Sequence, residues 1–199
     1  MSTITEYLTR TGEPLVGLRM TAEAYFEAVN GKDNYELVDG VVVMTPSPNP
    51  QHQAVLMEIA FQLKGYLEDH PVGMVFPELD VHLGTGPTGG DLVYRPELVF
   101  VRKENLRNLK QRISGAPAVA VEVVSAGSRP FDLQTKKHDY EQHGIEEYWL
   151  IDPELETMTF WRLEAGRFVE ATADKDRYAS RAIEGFSLDL ARIRTLFKL

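Results

Sequence analysis

Seven consecutive residues, Ala118-Val119-Ala120-Val121-Glu122-Val123-Val124, constrain the fold more than any other stretch of this chain. A short, almost wholly apolar run rich in valine suits a strand whose sheet is covered on both faces. It predicts a central strand in a layered α/β domain. One carboxylate, Glu122, interrupts the run. Burying a carboxylate is costly unless it is paired, hydrogen-bonded or bound to a metal. Glu122 therefore sits at an exposed strand end, pairs with a nearby arginine, or belongs to a site.

The remaining pattern supplies the layers around that strand. Thr21 caps a short helix carrying Ala22, Tyr25, Phe26 and Val29 at helical spacing, and Gly31 stops it. Two β-prone runs, 35–38 and 41–44, flank Asp39-Gly40 and predict a hairpin. Residues 45–50 hold three prolines and read as a loop. Residues 51–69 form the best amphipathic pattern, with Val55, Leu56, Ile59, Leu63 and Leu67 on one stripe, and His70-Pro71 ends it. Short strands are expected over 74–83, 92–94 and 98–101, and a small helix near 104–110. A second helix over 131–142 is closed by Gly144. Strands follow over 147–151, 157–163 and 168–171, then a closing helix over 188–199. The fold class expected is α/β: one domain over 21–199 with a mixed, twisted sheet flanked by helices and extra hairpins at both ends. Residues 1–20 read as an N-terminal arm.

Composition narrows the function. The 199 residues are 43% hydrophobic and 26% charged, which is ordinary for a globular chain, and cysteine is absent. Disulfides, thiol catalysis and thiolate zinc sites are thereby excluded. The formal charge of −9 argues against binding nucleic acid through bulk positive charge alone. The N-terminus lacks a basic start followed by an apolar run, and no stretch approaches the roughly 18 apolar residues of a membrane span. A cytoplasmic protein without a membrane partner is expected.

Three features carry chemistry. Glu122 is the first. Arg95-Pro96-Glu97-Leu98-Val99-Phe100-Val101 is the second, another carboxylate at the mouth of an apolar strand. Two such strands in one sheet bring their carboxylates together as hard oxygen ligands for Mg²⁺ or Mn²⁺, leaving positions for water and phosphate. Alone, Glu97 reads as a strand-edge surface residue. Asp132, Lys136 and Tyr140, at i, i+4 and i+8, are the third. From that helix face Lys136 could reach back over the Glu122 strand and stabilise charge on a phosphate. The plainer reading is an exposed Asp132–Lys136 ion pair of small energetic weight. Glu36 in the hairpin and His52 at the start of the long helix are individually more often structural. Residues 102–112 hold five basic side chains against one acidic, among them Arg102, Lys103, Arg107 and Lys110. They follow the Glu97 strand and read either as a backbone grip or as a solvated helix.

In combination these residues resemble the bacterial putative restriction endonuclease family. The resemblance rests on Tyr35-Glu36-Leu37-Val38-Asp39-Gly40, Pro48 and His52, the run from Arg95 to Val101, and Val121-Glu122-Val123-Val124-Ser125. It continues through Asp132, Lys136 and Tyr140 to Gly144-Ile145-Glu146-Glu147-Tyr148-Trp149-Leu150-Ile151-Asp152-Pro153. It covers about residues 15–195. That family belongs to the PD-(D/E)xK nuclease superfamily, so the resemblance implies a restriction-endonuclease-like core and metal-dependent DNA hydrolysis. Its proline-acid pair falls on Pro96-Glu97 and its second acid on Glu122. Val124 stands where a lysine is expected, and the lysine is supplied by the next helix as Lys136. Glu97 stands where relatives more often have Asp, one methylene shorter.

Under that resemblance Glu97, Glu122 and the main-chain carbonyl of Val123 hold Mg²⁺ or Mn²⁺, and Lys136 orients the attacking water. Glu36 assists a second metal or an outer water, and His52 contacts phosphate. DNA is the substrate and a homodimer the expected assembly, since cutting both strands with one site per chain takes two subunits. A non-catalytic nucleic-acid-binding or interaction domain on the same fold is the alternative, and RNA as substrate a third reading.

Two other signals lead nowhere. Gly84-Thr85-Gly86-Pro87-Thr88-Gly89 matches GxGxxG in letters only, because a strand and not a helix follows it, so no nucleotide cofactor is expected. Trp149 and Trp161, with Tyr148 and Phe160, read as packing in the C-terminal strands.

Overall fold

The computed structural model describes residues 15–29, 34–107 and 109–199. Most of the predicted arm and Gly31, the predicted helix stop, lie outside them. Helix α1 (Ala22–Ala28) is capped by Thr21, whose hydroxyl accepts from the Ala24 amide at 3.3 Å. Strands β1 (Tyr35–Val38) and β2 (Val41–Met44) pair antiparallel around Asp39 and Gly40, both at positive φ. Helix α2 (Pro50–Asp69) follows, then β3 (Gly73–Pro77), β4 (Val81–Thr85), β5 (Asp91–Tyr94) and β6 (Leu98–Arg102). Next come α3 (Lys103–Leu106), β7 (Ile113–Ser114) and β8 (Val119–Val123). A π-helical turn (Phe131–Lys136) continues as α4 (Lys137–Gln142). Strands β9 (Glu147–Asp152), β10 (Thr157–Glu164), β11 (Arg167–Glu170), β12 (Arg177–Ala179) and β13 (Ser187–Asp189) precede α5 (Leu190–Arg194) and a 3₁₀ turn (Thr195–Lys198).

The apolar run becomes β8, buried along its whole length. It lies inside a six-stranded sheet ordered β11-β10-β9-β8-β6-β3, antiparallel to β6 and parallel to β9. A parallel neighbour needs a crossover, and the Phe131–Gln142 helical stretch provides it. Strand alternation divides the core. Val119, Val121 and Val123 face Val55, Leu56, Ile59 and Leu63 of α2. Ala120 and Val124 share the other side with Val99, Tyr140 and Tyr148. Glu122 follows the same alternation onto the side of Tyr140. A second, five-stranded sheet, β2-β1-β5-β4-β7, holds the N-terminal hairpin, and β12-β13 form the C-terminal one. The mixed, helix-flanked architecture is the expected one. Among the described residues no helix is long and apolar enough to cross a membrane.

Several boundaries differ from the sequence pattern. The single strand expected over 74–83 is two strands in different sheets, because Pro77 cannot extend the ladder and Glu78 turns the chain at φ 47°. Pro50 is helical rather than loop: Asn49 caps α2 by accepting from the His52 amide at 2.8 Å, and proline is at home in a first turn. The helix expected over 104–110 is described only as Lys103–Leu106. The closing helix begins at Leu190, since Asp189 caps it and residues 187–189 are used in pairing with β12. Gly84 and Thr85 end β4, and Gly86 to Gly90 join it to β5 as a hairpin loop, with Asp39 accepting from the Thr88 and Gly90 amides.

Candidate active site

Register decides which carboxylates meet. In the antiparallel β6–β8 pair Leu98 lies opposite Val121. One step beyond that last pair, back along β6 and forward along β8, the same register sets Glu97 towards Glu122, and alternation puts both on one face. Both line a cavity of about 210 Å³ together with His52, Val123, Asp132 and Lys136. Glu97 is a quarter exposed, with His52 Nε2 3.1 Å from its Oε1, whereas Glu122 is buried.

Lys136 arrives from the crossover. A π turn carries one residue more than an α turn and recurs at functional sites, and here it carries both Asp132 and Lys136. Lys136 Nζ donates to Glu122 Oε1 at 2.9 Å and lies 3.0 Å from Glu36 Oε1 and 3.7 Å from Asp132 Oδ1. Tyr140, one turn on, donates its hydroxyl to the same Glu122 oxygen at 2.8 Å. The i, i+4, i+8 face thus closes over β8. The exposed Asp132–Lys136 pair of the plainer reading is instead a buried contact, and Glu122 pairs with a lysine rather than an arginine.

Glu36 is also buried. Its Oε1 accepts from the Arg95 amide at 2.9 Å, and its Oε2 makes no hydrogen bond. His52 is buried as well, with Nδ1 unpartnered. Burial pushes the Glu36, Glu122 and Asp132 carboxyls above the usual carboxylate range, while Lys136 pulls each of them back. Burial also opposes charge on Lys136, but the surrounding carboxylates outweigh it and hold the ammonium well above an ordinary lysine. Those carboxylates thus favour the charged form of Lys136, which donates to Glu122.

The basic segment is brought elsewhere. Strand β6 runs five residues from Leu98 to Arg102, about 17 Å at about 3.3 Å per residue, which separates the segment from Glu97. Arg102 there pairs with Glu146. Arg102, Lys103, Arg107 and Lys110 do not line the cavity. Sequence reasoning singled out Asp132 and Tyr140 by their spacing without giving them a place in the site. It also missed the Arg95 amide, since a main-chain donor leaves no mark in a sequence.

Among the described residues no three His, Asp or Glu side chains group closely enough to cage a metal ion. The donor set fits a cation of another habit. Mg²⁺ and Mn²⁺ take hard oxygen ligands, and Mg²⁺ commonly keeps several waters beside one or two carboxylates. Glu97 and Glu122, with Val123 on the same wall, suit that requirement.

A family of proteins described as "Putative restriction endonuclease" (Uma2) matches residues 22–191. The chain belongs to that family. The Uma2 match spans every residue lining the cavity, from Val43 to Lys136, and Glu36 behind it. Among solved structures, the crystal structure of a putative nuclease belonging to DUF820 from Anabaena variabilis ATCC 29413 is similar to this chain. It is 17% identical, covers 82% of this chain and 90% of its own, and superimposes with a TM-score of 0.69. At that identity the likeness shows a shared fold. A comparison with curated proteins finds no match.

Proposed function

We propose that this Uma2-family protein is a Mg²⁺- or Mn²⁺-dependent endonuclease that hydrolyses DNA phosphodiester bonds. The observation that carries the reading is Lys136: a buried ammonium, supplied from the crossover helix, meets the second of two facing carboxylates at one cavity wall. Glu97, Glu122 and the Val123 carbonyl would hold the cation, which when bound makes water nucleophilic and offsets charge on the phosphate. Lys136 directs the attacking water and stabilises negative charge as it develops on the phosphate oxygens. Tyr140 holds the Glu122 carboxylate in place through its hydroxyl. His52, beside Glu97, sets the orientation of that carboxylate and presents its ring to the phosphate. Arg102, Lys103, Arg107 and Lys110, a strand's length away, contact the flanking backbone. Two copies acting together cut both strands, in the cytoplasm.

Purified protein is tested on supercoiled plasmid and on single-stranded DNA with Mn²⁺, then Mg²⁺, beside Glu122→Ala and Lys136→Ala. Metal-dependent nicking is expected from the parent protein, and is expected to vanish in Glu122→Ala and to fall to a small residual rate in Lys136→Ala. Nicking that survives in Glu122→Ala removes the site assignment. A folded parent protein that binds neither metal and cuts nothing shifts the assignment to a non-catalytic nucleic-acid-binding domain.

A further inference from the structure

We infer that Glu36 is a positioning residue rather than a metal ligand or a substrate contact: its carboxylate fixes Lys136 against the turn that carries Glu97. The inference rests on the proposed nuclease reading and gives one of its buried groups a different task from the one the resemblance implies.

One oxygen does both jobs. Glu36 Oε1 accepts from the Arg95 amide at 2.9 Å and meets Lys136 Nζ at 3.0 Å. Arg95 lies two residues before Glu97, and its guanidinium is itself held by Asp80 Oδ1 at 2.7 Å. A single atom thus ties the start of the Pro96-Glu97 turn to the ammonium that also bonds Glu122. The other oxygen, Oε2, is buried and has no hydrogen-bond partner. Arg95, Glu97, Glu122 and Lys136 line the cavity and Glu36 does not, so its carboxylate stands behind the wall. A group in that place reaches substrate only through Lys136.

The need for such a tie follows from where the lysine comes from. Position 124, two residues past Glu122, is valine. A lysine on the strand would have its root fixed by the same backbone as Glu122. Lys136 instead sits on a separate helix at the end of a long, flexible stem, so its head needs an anchor independent of β8. Glu36 provides one from the second sheet, where Leu37 of β1 pairs with Val93 of β5 and so sets the height of its neighbour.

The test is a double-mutant cycle on the full chain with Glu36→Gln, Lys136→Gln and the double variant. Three quantities are measured: Mn²⁺ affinity by calorimetry, kcat and KM on plasmid, and urea unfolding. Glu36→Gln is expected to lower kcat roughly 10- to 100-fold, as small misplacements of a reacting group do. KM and Mn²⁺ affinity are expected to stay within about twofold. In the Lys136→Gln background, Glu36→Gln is expected to cost no further rate. A tenfold or greater loss of Mn²⁺ affinity in Glu36→Gln makes Glu36 a ligand and overturns the inference, as do rate losses that multiply across the cycle. If Glu36→Gln does not fold, Glu36→Asp takes its place, keeping the charge but withdrawing the oxygen by one methylene, with the same split expected. If the parent protein cuts nothing, the nuclease reading fails on its own. The urea cycle then decides the tie, with non-additive stabilities supporting it and additive ones overturning it.

Discussion

Tyr140 illustrates what a single hydroxyl does beside a buried carboxylate. Its ring is wholly buried, edge-on to both Tyr94 and Tyr148, so packing alone fixes its place. Its hydroxyl supplies one of the two hydrogen bonds to Glu122 Oε1, the other coming from Lys136. Tyr140→Phe keeps the ring and removes the donor. The variant is expected to lose about 1–3 kcal/mol of stability, the usual cost of leaving a buried polar group short of a partner. Urea unfolding checks this. Nuclease activity should fall with it, because Glu122 is then held by Lys136 alone. Unchanged stability would mean that Glu122 does not depend on the hydroxyl.

At the scale of elements, α2 places His52 by its first turn. Asn49 accepts from the His52 amide, and Pro50 needs no partner for an N–H it lacks. Asn49→Ala is expected to cost about 1 kcal/mol by thermal melting, and to weaken cleavage by loosening the turn that sets His52 against Glu97. A melt unchanged within error would remove the cap's role. The elements also show what the sequence makes readable. The apolar run at β8, the α2 stripe and the Asp39-Gly40 hairpin follow from local periodicity and turn chemistry, and each forms as expected. The break between β3 and β4 is set by which sheet each half joins, a long-range choice that local β-propensity does not encode. Glu36 is the same case at a site: a hairpin residue has an inner and an outer face, and only the packing of the second sheet beside the first decides that its carboxylate is buried. The basic stretch after β6 looks adjacent to Glu97 in sequence, yet an extended strand converts those few residues into the length of the sheet.

Across the described residues the two larger sheets meet at the cavity, and the C-terminal part, with its two-stranded sheet, is fastened to the six-stranded one. The fastening centres on a second buried carboxylate, Glu147, at the start of β9. Its Oε1 accepts from the Arg181 amide at 2.6 Å and the Ala182 amide at 3.2 Å. Its Oε2 accepts from Ser180 Oγ at 2.9 Å and Trp149 Nε1 at 2.8 Å. Buried Phe186, Leu188 and Ile193 follow Ala182 into the α2 side of the core, so the carboxylate fixes where that packing begins. The two buried glutamates of the larger sheet thus have opposite uses. Glu122 faces a cavity and shares a lysine, whereas Glu147 spends both oxygens on neighbouring donors. Removing Glu147 strands those donors in the core. Glu147→Ala is expected to destabilise the protein by about 3–5 kcal/mol, measured by urea unfolding. Mn²⁺ affinity of the protein that remains folded should equal that of the parent, because none of the groups around Glu147 lines the cavity. A fall in metal affinity at full folding would show that the C-terminal fastening reaches the site, and that the larger sheet does not isolate its two carboxylates.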